Sequence, residues 1–105
     1  MQDAEFHVLV DELFNSLEDE LDAQELDLDI DSSSGILTIG FPNGTSVIVS
    51  RQISAHEVWV AARSGGFHLS REENWFCKVT GEDLASLLSR VLTEQLGETV
   101  TITVA

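Results

Sequence analysis

Apolar residues recur at three- and four-residue steps through the start of the chain: Phe6, Leu9, Val10, Leu13, Phe14, Leu17 and Leu21. That period predicts one helix from about Ala4 to Asp22 with a single buried face. Asp11, Asn15, Glu18 and Asp22 fall on the opposite face, with Glu12 and Asp19 beside them. The period then drops to two. Leu26 to Asp31 alternates strictly, which predicts a short strand with Leu26, Leu28 and Ile30 inward and Asp27, Asp29 and Asp31 outward. Ser32 to Gly35 interrupts it. Two β-rich runs, Ile36 to Phe41 and Thr45 to Gln52, flank Pro42-Asn43-Gly44, a hairpin signal because Asn-Gly tolerates positive φ.

His56 to Arg63 alternates again, with Val58, Val60 and Ala62 on one face and Glu57, Trp59, Ala61 and Arg63 on the other. Phe67 to Leu69 and Trp75 to Val79 read as two more short strands. Thr80 reads as a helix N-cap with Asp83 as its capping-box partner. Leu84, Leu87, Leu88, Val91, Leu92 and Leu96 supply the buried stripe of a second helix, which Gly97 ends. Thr99 to Val104 alternates as a last extended segment, along the helices or the sheet edge. Short consecutive strands imply an antiparallel sheet, and two one-sided helices need a common apolar surface. The expectation is an α+β fold: a two-layer α/β sandwich, two helices on one face of an antiparallel sheet of about six strands, in a single domain over residues 1–105.

Charge changes the picture. Residues 1–31 hold twelve of the nineteen acids and no Lys or Arg, a charge of −12, while the other 74 residues carry seven acids and five bases, or −2. Five basic side chains cannot supply the footprint that nucleic-acid phosphates need, nor dock the chain on an anionic membrane. No apolar run reaches the roughly 18 residues of a membrane span. The acidic start, Met1 to Glu5, is unlike a signal peptide, and a lone Cys77 permits no internal disulfide. A cytoplasmic setting is expected.

Each pair of acids four apart on a helix costs about 0.2–0.5 kcal/mol. An acidic ridge that accumulates such pairs with no compensating base has two explanations: it binds hard cations through oxygen ligands, or it is a solvated face suited to solubility or to a basic partner. His7, near Asp3, Glu5 and Asp11, would add a nitrogen ligand. No H-x-x-H, C-x-x-C or E-x-x-H spacing occurs, which argues against a closed transition-metal site. Trp59, flanked on its face by charged residues, is expected to point outward, either as an interface anchor or half-covered by neighbouring side chains. Cys77 reads as a buried, inert thiol. No nucleophile elbow, phosphate-binding loop or dinucleotide motif is present, and no enzyme active site is indicated.

Glu5-Phe6-His7, the acidic stretch Glu18 to Asp31, Gly35-Ile36-Leu37-Thr38-Ile39, Asn43-Gly44-Thr45, Ser50-Arg51-Gln52, His56 to Ala61, Ser64 to His68, Asn74-Trp75 and Gly81-Glu82 occur in an order that resembles the frataxin family, most closely its bacterial, CyaY-like branch. The resemblance implies a helix–sheet–helix sandwich and a non-catalytic iron-binding protein that modulates iron–sulfur cluster assembly through a cysteine desulfurase and its scaffold protein. It implies weak Fe2+ or Fe3+ binding, with other divalent or hard cations able to substitute, at Asp3, His7, Glu18, Asp19, Asp22, Glu25, Asp27, Asp29 and Asp31. It implies partner contacts at Gln52 and Trp59, and a monomer able to oligomerise with metal. The rivals are an acidic, metal-independent interaction module for a basic partner surface and, less favoured by the open ridge, a ferroxidase.

Overall fold

The computed structural model describes residues 1–104. Helix α1 spans Asp3–Ala23, and a seven-stranded sheet follows: β1 Asp29–Ser33, β2 Ile36–Gly40, β3 Ser46–Gln52, β4 Glu57–Ala62, β5 Gly65–Arg71, β6 Trp75–Cys77 and β7 Glu82–Asp83. Helix α2 spans Leu84–Leu96. The strands lie side by side in chain order, every pair antiparallel, as short turns dictate.

Alternation in the strands decides the two faces. Leu37, Ile39, Val47, Val49, Val58, Val60 and Leu69 are buried on the inner face, where they meet the apolar stripes of both helices in one core. Phe6, Val10, Leu17, Leu87, Leu88 and Leu92 are among the fully buried helix residues. Fully burying such a side chain contributes about 1.5–3 kcal/mol, so this face holds the sandwich together. The opposite face is covered by no element of the described residues.

Three local expectations are corrected. The first acidic strand runs Asp29–Ser33, not Leu26 to Asp31. A positive φ at Glu25 and a tight Leu28 N–H to Leu26 C=O bond of 2.8 Å keep the preceding segment irregular. The inward apolar set survives, since Leu26, Leu28 and Ile30 all pack against the core. Pairing continues through Ser33 because Ser34 and Gly35 both adopt positive φ, as a two-residue type I′ hairpin requires. Second, Thr80 does not cap α2. The turn at Gly81, whose φ of 75° lies in the left-handed region that glycine favours, lets Glu82–Asp83 pair with β6 as a seventh strand, one more than the expected six. Asp83 is therefore the N-cap, its Oδ1 accepting from the Ser86 N–H at 2.8 Å. Third, Gln95, absent from the apolar stripe, is buried. Its Oε1 accepts from the Arg63 N–H at 2.9 Å, and its Nε2 donates to Thr45 Oγ1 at 3.0 Å and Ser46 O at 3.2 Å.

The C-terminal segment lies along the helices and not on the sheet edge. Val100 and Ile102 are buried, and their N–H groups donate to Thr93 Oγ1 at 2.9 Å and Ser89 Oγ at 2.8 Å on α2. Gln24, the C-cap of α1, donates to Thr101 O at 2.9 Å, and the Glu20 carboxylate on α1 accepts from the Thr103 and Val104 N–H groups.

Candidate cation-binding edge and docking face

The twelve N-terminal acids do not form one array. Asp3 accepts from His56 Nε2 at 2.7 Å, Asp11 from Arg51 Nη2 at 2.6 Å, and Glu20 from the C-terminal segment. These three are committed to the fold. Glu18, Asp19 and Asp22, on the last turns of α1, have no such partner and line an open groove with Ile30 and Ser32 of the edge strand β1. Asp29 and Asp31 stand across from Gly40 and Thr38, on the outer side of β1. Two exposed carboxylate banks thus flank the β1 edge, one on the helix side and one on the sheet side, with Glu25 and Asp27 in the loop between.

Their separation suits loosely held, hydrated cations. Among the described residues no three His, Cys, Asp or Glu side chains converge closely enough to enclose an ion. The groove offers about 400 Å³ of open space, room for an ion that keeps its water shell. All the donors on offer are hard carboxylate oxygens.

His7 and Asp3 sit elsewhere. Fifteen residues separate Asp3 from Glu18, about 22 Å along the helix axis at 1.5 Å per residue. His7 Nδ1 lies 2.9 Å from Arg51 Nη1. Arginine has no acceptor, so Nδ1 must accept and its lone pair is occupied. Arg51 itself points inward beneath α1, its guanidinium 5.4 Å from the Phe14 ring centroid. The structure therefore does not bring Asp3 and His7 together with the other seven candidates.

On the outer sheet face, Ser50, Trp59 and His68 stand in one row across β3, β4 and β5. Trp59 is half-buried; its Nε1 donates to Glu57 Oε1 at 2.9 Å and its ring stacks on His68. Gln52 lies one pair along, opposite Glu57. Ile36 and Phe76 add exposed apolar surface to the same face. Both predicted docking residues thus share one uncovered surface.

The family of frataxin-like domains matches residues 1–98. The chain belongs to the frataxin-like family. It is similar to the iron-sulfur cluster assembly protein CyaY of Stutzerimonas stutzeri, 46% identical over 101 residues, covering 93% of this chain and 92% of that one. The CyaY protein of Azotobacter vinelandii is 43% identical over the same length and coverage. Among solved structures, frataxin from Psychromonas ingrahamii superposes with a TM-score of 0.92 at 32% identity, covering 99% of this chain and 100% of that one.

Two features of this frataxin-like chain escaped the sequence pattern. Glu20 lies between Asp19 and Leu21 with nothing local to set it apart, yet its partner is 83 residues away. Cys77 is buried, as expected, but its thiol is not in a purely apolar setting. Burial pushes it up; the Thr80 hydroxyl and the backbone of Thr80, Val79 and His68 outweigh this and hold it below the usual thiol range. Away from both acidic banks, a hydrogen bond from Arg90 holds the Glu82 carboxyl below its ordinary value. No helix among the described residues is long and apolar enough to cross a membrane.

Proposed function

We propose that this protein binds iron weakly along the two carboxylate banks of the β1 edge and modulates iron–sulfur cluster assembly in the cytoplasm. It does so without catalysing a reaction. The ion-holding residues are Glu18, Asp19, Asp22, Glu25, Asp27, Asp29 and Asp31, and Fe2+ or Fe3+ is exchanged with solvent. The outer face, through Gln52 and Trp59, docks on the cysteine desulfurase and its scaffold protein, and the protein is a monomer in the absence of metal. The observation that carries this reading is the run of carboxylates without an ion-pair partner on either side of β1, with no Lys or Arg anywhere in residues 1–50. The relatives that share the fold are iron-sulfur cluster assembly proteins by name.

Metal that relieves repulsion in the folded state stabilises it by linkage, by about 1.4 kcal/mol at ten times Kd. Fe2+, Co2+ or a lanthanide at moderate salt should therefore raise Tm by several degrees, and paramagnetic broadening should centre on residues 18–31. An unchanged Tm with no mapped site would sink the metal reading. The wide spacing of the acids favours one rival, a metal-independent module whose acidic edge pairs with a basic partner surface. That module would bind its partner equally well with metal chelated.

A further inference from the structure

On the outer face the Trp59 indole and the His68 imidazole are register partners across β4 and β5. Their centroids are 4.1 Å apart and their planes within 7° of parallel. With Trp59 Nε1 donating to Glu57 Oε1, the indole is held by its edge and by one face. Parallel planes at this separation fit an offset stack, which two neutral rings already accept. A protonated imidazole strengthens it, because a cation over an indole face is attracted to it.

The charges around this pair point the same way. On the outer face of β2 through β6, Glu57 is the one carboxylate and there is no Lys or Arg. Arg71, on β5, turns inward over Trp75. Asp83, across from Phe76, is engaged by the Ser86 N–H, and Lys78 follows β6 as an exposed side chain. A proton placed on His68 thus meets an aromatic face, with Glu57 on the same sheet face of the neighbouring strand and no base opposing it.

We propose that His68 is a positioning residue of the docking face: it clamps the Trp59 indole flat, and a proton on His68 tightens the clamp, so that docking through Trp59 strengthens on acidification. The docking half rests on the role of Trp59 proposed above, while the clamp itself is internal to the chain and is measured without a partner. A pinned indole loses less freedom when a partner covers it, which is how the clamp reaches affinity. A cation–π contact at an exposed site changes the balance about two- to fivefold. By linkage the effect is reciprocal: the indole must favour the imidazolium by the same factor.

The test is an NMR pH titration of the full chain, reading the His68 ring protons and the Trp59 indole N–H. The indole signal should move with the His68 midpoint, and Trp59→Ala should make His68 about two- to fivefold more acidic. Glu57→Gln should leave the indole following His68. An indole signal that ignores His68, that loses its transition in Glu57→Gln, or a His68 midpoint unchanged in Trp59→Ala overturns the clamp. Binding to the purified desulfurase–scaffold complex then tests the docking half. His68→Phe, which keeps a flat ring without a proton, should bind at neutral pH as the native chain does but show no strengthening in acid; His68→Ala should bind more weakly throughout. If Trp59→Ala binds as tightly as the native chain, or the native affinity is flat through the His68 midpoint, the docking half fails while the internal titration stands on its own result.

Discussion

Asp22→Asn should make the protein more stable, and the gain should disappear in salt. Asp22 is in the last turn of α1, where no basic residue offsets the negative end of the helix dipole. It is one turn from Glu18 and from Asp19 on the same helix, at four and three residues. Its side chain makes no hydrogen bond or ion pair that the change would break; only its backbone carbonyl is used, by the Glu25 N–H at 3.2 Å. Removing two like-charge neighbours returns about 0.4–1 kcal/mol, and removing an anion from a helix C-terminus about 0.3–1 kcal/mol. The sum is about 1 kcal/mol at low ionic strength. For a chain of this size that is roughly a 4 °C rise in Tm. Urea unfolding at low salt and at 1 M salt, where the Debye length is about 3 Å, measures both parts. A saturating cation should also narrow the difference between native and variant, because metal relieves the same repulsion. Loss of stability at low salt, or a gain that persists undiminished at 1 M, would refute the claim that Asp22 is an uncompensated charge.

Two further perturbations probe the frame that carries the site. Gln95→Leu leaves the Arg63 N–H, the Ser46 carbonyl and the Thr45 hydroxyl without a part-buried partner; at about 1 kcal/mol for each bond it should cost roughly 2–4 kcal/mol, read as a lower urea midpoint at unchanged m. Arg90 and the Ser86 N–H depress the carboxyl pKa values of Glu82 and Asp83 in the folded state. Their stabilisation is then fully present above the unfolded values near 4 and is lost as pH falls through the lower folded values. Glu82→Gln should flatten that acid limb when the urea midpoint is followed from neutral pH downward.

The apolar periods of both helices were legible residue by residue, because a one-sided helix must place its core residues at three- and four-residue steps whatever it packs on. The hairpin at Asn43-Gly44 was legible for a similar reason, since its φ requirement is local. Boundaries that depend on pairing were not. β1 begins three residues later than its alternation, and β7 exists only because Gly81 returns the chain to β6. The same limit applies to polar side chains. Nothing local distinguishes Glu20 from Glu18, or Gln95 from an exposed glutamine on the last turn of a helix.

The acidic surplus of residues 1–31 belongs to the sequence alone, because counting charges needs no coordinates. Its division belongs to the tertiary structure. Packing brings His56 to Asp3, Arg51 to Asp11 and His7, and the C-terminal segment to Glu20, and so gives those groups partners within the fold. It leaves Glu18, Asp19 and Asp22 on one side of the β1 edge and Asp29 and Asp31 on the other. The alternation of β4 already turned Trp59 outward. Only the register of β4 against β5 set His68 on its face, because contact across a sheet depends on which residues of two separate strands come opposite each other.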